Sequence, residues 1–184
     1  MSILDIRVLG DPVLRKETLI VESVTEDIRK LIRDMFDTMY AAEGIGLAAP
    51  QVGRTERVTV MDVEGSSYAL INPEITARQG SIRGEEGCLS IPEVFGEVER
   101  ASTVTVRALD ENGNEIEVEG NELLARCLQH EIDHLHGKLF LDYLSVLKRR
   151  AALAKWDNHK ADYPDHIRKV VSEKRGVHHS EGEL

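Results

Sequence analysis

Residues 130–134 read His-Glu-Ile-Asp-His, and they sit inside an apolar stripe made by Leu124, Leu128, Ile132 and Leu135. That stripe recurs at helical spacing, so residues 121–135 are predicted to form a helix ended by Gly137. Residues four apart on a helix share a face, so the imidazoles of His130 and His134 lie one turn above each other. A helix that turns Ile132 and Leu135 into the core takes His130, Glu131 and His134 in with them. Buried polar groups need partners. The rest of the chain must therefore wrap this helix and satisfy those groups. One metal ion can do so by binding both histidines. Glu131 projects from nearly the same side, where it can hydrogen-bond a water on that ion, take its proton and hand it to a leaving amine. Two solvated histidines on a surface helix would not need the apolar stripe.

A catalytic metal of this kind takes three protein ligands and keeps a fourth position open. The chain has two cysteines, Cys88 and Cys127. Cys127 shares the helix, but an ion held between His130 and His134 would lie roughly 7.5 Å along the axis from it. A cysteine side chain cannot cover that and still make a bond of about 2.3 Å, so Cys127 is read as a small apolar residue on the wall of the site. Cys88 is the better ligand. It lies in Gly84-Glu-Glu-Gly-Cys-Leu-Ser90, a glycine-flanked segment read as the entrance to a strand. Backbone N–H groups around Leu89 are available there to an oxyanion.

Residues 25–42 are predicted to be an amphipathic helix capped by Thr25. Gly44-Ile-Gly-Leu-Ala-Ala-Pro-Gln51 follows as a run of small residues interrupted by Pro50. Residues 56–63 and 67–72 are read as strands around a turn at Gly65, and residues 98–118 as a hairpin turning at Asn112-Gly113. A third helix is expected from Ser145 to about Trp156. Helix, strands, helix, helix implies an α+β fold: antiparallel β-sheets packed around a central helix carrying His130–His134, with N-terminal and C-terminal helices. The expected domains are one catalytic unit over residues 1–164 and a charged tail over 165–184, helical at first and then frayed. His178 and His179 in that tail are read as solvated.

A formal charge of −10 over 184 residues argues against sequence-specific nucleic-acid binding, since phosphates are repelled on average. No stretch approaches the roughly 20 apolar residues of a membrane span, and the first residues lack the pattern of a signal peptide. A cytoplasmic location with reduced thiols is the expectation.

Three segments together resemble the peptide deformylase family: Gly44-Ile-Gly-Leu-Ala-Ala-Pro-Gln51, Glu86-Gly-Cys-Leu-Ser90 and Gln129-His-Glu-Ile-Asp-His134. The third motif alone is shared by many metallopeptidases, but the combination, in this order and spacing, is specific. The resemblance implies Cys88, His130 and His134 as ligands, Glu131 as the catalytic glutamate and Gln51 as the motif glutamine. It implies one ferrous ion per chain, replaceable by Zn2+, Ni2+ or Co2+, and removal of formyl from N-formyl-methionyl nascent peptides. Gln51 and the Leu89 N–H would then hold the oxyanion. The peptide would lie along Gly44, Ile45, Gly46 and Leu47, with the methionine pocket near Ile45, Leu123 and Cys127. Contact with the ribosome near its exit tunnel is a further implied partner, for which Lys148, Arg149 and Arg150 supply a small basic patch. Relatives with a basic residue in the loop after the second motif use it on the distal substrate. Val94-Phe95-Gly96-Glu97 has none. Arg100 is expected to form a structural ion pair with Glu43. Two alternatives stay open here: a metallopeptidase cutting internal peptide bonds, and a non-catalytic domain stapled by its metal.

Overall fold

The structure, a computed structural model, describes residues 2–171. The chain runs β1 (Ile6–Arg7), α1 (Glu26–Ala41), β2 (Gly46–Ala48), β3 (Val58–Val63), β4 (Ser66–Gln79), β5 (Ile82–Cys88), β6 (Ile91–Arg100), β7 (Thr103–Leu109), β8 (Glu115–Asn121), α2 (Glu122–Leu135), α3 (Val146–Asp157) and β9 (Ile167–Arg168). The fold is α+β, with antiparallel sheets around the central helix.

Helix α1 begins where Thr25 accepts a hydrogen bond from the Ile28 N–H, and it buries Ile28, Leu31, Ile32, Met35 and Met39. These pack against β2 and β3. Strands β2, β3, β4, β7 and β8 form one antiparallel sheet in the order β2-β3-β4-β7-β8, which leaves β2 on an edge. The two-residue connection Glu64-Gly65 closes β3 onto β4 with both residues at positive φ, as a tight hairpin requires. Helix α2 lies against β2, β3, β7 and β8, burying Ala125, Cys127, Leu128 and Ile132 with Val104, Val106 and Val118.

Among the described residues, strands β5 and β6 pair only with each other, as a separate two-stranded ribbon. On it pack Phe140, Leu144, Ala152 and Trp156 from the α3 side. The hairpin expected over residues 98–118 is therefore two pieces. Val98, Glu99 and Arg100 belong to the ribbon, at its open end, and the sheet hairpin starts at Thr103. Alternation continues through both strands, so no local pattern marks the break. A distant side chain holds it: Gln129 accepts from the Ala101 N–H and donates to the Ala101 carbonyl, at 3.0 and 2.9 Å. Cys88 likewise closes strand β5 instead of opening one.

Beyond Pro164 the structure has no α-helix among the described residues. A short 3-10 turn with Asp165 at φ 57° reverses the chain. Ile167 and Arg168 then pair with Arg7 and Ile6. Ile167 and Arg168 are thus held on the body by strand pairing, and a 3-10 turn stands where the helical start of a tail was expected. His178 and His179 lie outside the described residues. No described helix is long and apolar enough to cross a membrane.

Truncation after Pro164 should lower stability by about 1–3 kcal/mol, comparable to a disruptive point substitution. That corresponds to several degrees in Tm for a chain of this size. Truncation after Val171, which keeps β9, gives the form for comparison. Equal melting of both truncated forms and the full chain would show that β9 contributes nothing.

Candidate metal centre and active site

His130 and His134 project from one face of α2, and both are buried. Their Nε2 atoms stand 3.2 Å apart, and His134 Nε2 is 3.4 Å from Cys88 Sγ at the end of β5. The three donor atoms all lie within 4.8 Å of one another. A tetrahedral ion with N bonds of about 2.1 Å and an S bond of about 2.3 Å would separate its ligand atoms by roughly 3.4–3.6 Å, so the cluster has the size of a metal site. Burial, then the neighbouring His130, holds His134 well below the usual histidine range, keeping it the neutral imidazole that a metal binds.

His130 is oriented from behind. Its Nδ1 hydrogen-bonds Glu86 Oε2 at 2.9 Å. Donating that proton to a carboxylate leaves the Nε2 lone pair aimed at the cluster. Glu86 is fully buried on β5 and also accepts from Arg100 Nε at 2.8 Å and Arg126 Nη1 at 2.9 Å. Burial alone would raise its carboxyl, but the bonds from His130 and Arg100 overcome this and hold it well below the carboxylate range. Arg100 also bonds Asp133 at 2.6 Å, and its guanidinium lies 4.4 Å from the Tyr143 ring. The expected Arg100–Glu43 pair is not what forms. Glu43 sits exposed just past α1 at φ 59°, whereas β5–β6 pairing delivers Arg100 to α2. No local spacing reports Glu86 or Arg126, since their partners come from other elements.

Glu131 is fully buried, and neither carboxylate oxygen has a hydrogen-bond partner. Such a group is costly, and burial, with Glu86 adding, pushes its carboxyl well above the usual range. A cation beside it and a water between them fit that arrangement, so the donor set and the orphaned carboxylate both suit a metal. Gln51 is also buried. Its Oε1 accepts from the Ala48 N–H at 2.9 Å, which turns Nε2 toward Cys88 Sγ at 3.6 Å and Ser90 Oγ at 3.2 Å. Leu89 occupies the turn after Cys88, and its carbonyl accepts from Arg168 Nη1 at 3.0 Å. That contact from the far end of the chain carries no sequence signal.

Of the expected substrate residues, Gly46 faces Glu131, Ile45 is partly buried beside Cys127, and Gly44 follows α1. Cys127 Sγ lies 3.8 Å from the Ile45 carbonyl, and burial raises its thiol well above the ordinary value. Leu123 is 42% exposed and lines a surface depression with Val63, Glu64 and Ser66.

The match to a family model described as polypeptide deformylase covers residues 3–150. The chain is similar to the peptide deformylase of Alkalilimnicola ehrlichii, 56% identical over 82% of this chain and 86% of that protein. It is 52% identical to that of Nitrosococcus oceani, over 82% of this chain and 92% of the other. The crystal structure of a peptide deformylase from Legionella pneumophila superposes with a TM-score of 0.84 at 50% identity, covering 87% of this chain and 96% of that one. A peptide deformylase from Ehrlichia chaffeensis in complex with actinonin gives 0.82 at 44% identity, covering 87% and 99%.

A Cβ added at Gly46 would lie 2.5 Å from Glu131 Oε1 and 2.8 Å from its Cδ. Gly46→Ala should therefore displace the carboxylate and cut kcat by about 10²-fold or more, within the range of general acid–base catalysis. Metal content should stay normal. Turnover within two-fold of the parent, measured alongside metal analysis, would show that Glu131 has room to spare.

Proposed function

The chain belongs to the polypeptide deformylase family, and from that premise we propose how its residues divide the work. The enzyme is a metal-dependent hydrolase that removes the formyl group from the N-terminal formyl-methionine of new proteins, releasing formate. The observation that carries the assignment of roles is the closed cluster of Cys88, His130 and His134 beside the unpartnered carboxylate of Glu131.

Cys88, His130 and His134 are the metal ligands, with Glu86 fixing the tautomer of His130. A divalent ion held there supplies Lewis-acid polarisation of the formyl carbonyl and a lowered pKa for water. Glu131 takes the proton of the attacking water and delivers it to the departing nitrogen, so formate leaves from a neutral amine. Gln51 Nε2, aimed by the Ala48 N–H, donates to the developing oxyanion with the backbone N–H of Leu89. The peptide lies along Gly44, Ile45 and Gly46 and adds to the free edge of β2. Ile45 and Cys127 line the pocket for the methionine side chain, and Leu123 stands at its outer rim.

Glu131→Gln should keep its metal and lose about 10²–10⁴ in kcat on formyl-Met peptides. The parent should release formate from these and leave the same peptides untouched when unformylated. Hydrolysis of internal bonds in unformylated peptides would replace this reading with a metallopeptidase.

Ferrous iron is the native ion in this proposal, one per chain, with Zn2+, Ni2+ or Co2+ able to substitute. A thiolate with two imidazoles suits each of them. Iron-loaded enzyme should lose activity in air within hours while zinc-loaded enzyme persists. Equal decay of the two would remove iron from the assignment. The setting is the cytoplasm, on nascent chains near the ribosomal exit tunnel, with exposed Lys148 and Arg150 on α3 facing the particle. Failure to co-sediment with ribosomes at low salt would reject that docking.

A further inference from the structure

Arg126, His130 and His134 follow one another at four-residue steps and so share a face of α2. The two histidines meet Cys88 at the closed end of the β5–β6 ribbon. Arg126 reaches the open end. Its Nη2 donates to the Ile82 carbonyl at 3.0 Å and its Nη1 to the Val98 carbonyl at 3.0 Å, so it touches both strands. The same Nη1 bonds Glu86 Oε1 at 2.9 Å, and Gly84 O lies at a longer 3.5 Å. The side chain is only 8% exposed.

The ribbon's position matters because the metal ligands are divided. Two ride on α2 and one on the ribbon, which makes no strand pairing with the five-stranded sheet. A two-stranded ribbon is marginal by itself, so its seat on α2 depends on side chains. A planar guanidinium with five donors can span carbonyls on two strands and a carboxylate together, whereas a lysine ammonium is a single point. The ribbon accommodates that group closely. A Cβ added at Gly84 would stand 2.9–3.1 Å from Nη2, Cζ and Nε of Arg126.

We propose that Arg126 is a positioning residue for the metal centre: it clamps the β5–β6 ribbon to α2, setting the reach of Cys88 to the two histidines and aiming Glu86 at His130. The proposal rests on the ligand assignment above. Arg126 touches neither substrate nor ion; it acts through the ribbon and Glu86.

The test is Zn2+ affinity by chelator competition, the absorption spectrum of the Co2+-loaded protein, and melting of the metal-free chain. Arg126→Met should weaken Zn2+ binding about 10–100-fold, as loss of groups that orient ligands does. It should also weaken the thiolate-to-Co2+ absorption. Arg126→Lys should fall between parent and Met. Gly84→Ala, which leaves Arg126 present but pushed aside, should move both readouts in the same direction. It keeps the test open if Arg126→Met does not fold. Arg83, 68% exposed and paired with Glu97 and Glu99 on the same ribbon, gives the control, since Arg83→Met should change neither metal readout. Zn2+ affinity within two-fold of the parent in Arg126→Met and Gly84→Ala, with the Co2+ spectrum unchanged, overturns the proposal, even if the metal-free chain melts lower. Formate release by the parent is measured in parallel. A parent that binds Zn2+ yet releases no formate rejects the enzymatic reading and leaves the affinity comparison to decide the clamp.

Discussion

The carboxylate of Glu86 collects Arg100, Arg126 and the Nδ1 of His130 in a place water does not reach. A lone charge there would be prohibitive, and each neighbour would be equally costly without it. The set is stable only complete. This mutual requirement draws together segments far apart in the chain: Arg100 from β6, Arg126 and His130 from α2, and Glu86 itself from β5. Asp133 and the ring of Tyr143 close the outer side over Arg100. Among the described residues, apolar packing forms three clusters, one including α2 and another including β6. The polar junction ties β5 and β6, which pack in one of those clusters, to α2, which packs in another.

Much of this was legible in the residues. The stripe of Leu124, Leu128, Ile132 and Leu135 announces α2, and Thr25 marks the start of α1 within a residue of where it forms. The helix rise sets Cys127 aside as a ligand, and the glycine-flanked segment offers Cys88 instead, whose sulfur and the His130 and His134 nitrogens lie within 4.8 Å of one another. Such features are local, or need only the pitch of a helix.

What sequence did not reveal is what depends on distant partners. The ribbon escaped because Glu97, Val98, Glu99 and Arg100 alternate like the strand after them, and the boundary at Ala101 is set by Gln129. Nothing local identifies the partners of Arg100: in place of the expected Glu43, it pairs with Glu86 from β5 and Asp133 from α2. Pro164 suggested the start of a loose end. The later return of Ile167 and Arg168 to β1 has no periodicity to betray it, since so short a strand shows no pattern.

Strand β2 is Gly46–Ala48, at the margin of its sheet, and Pro50 follows close behind. An edge this short offers a guest chain few main-chain bonds, and main-chain bonds are blind to side-chain identity. In the proposed pose, an extended polypeptide on this edge would be gripped by main-chain bonds only over a few residues. A catalyst working from such an edge, as proposed above, would be a generalist by construction. Its discrimination would then be concentrated at the very tip of the chain, and the diversity of everything downstream would cost it nothing.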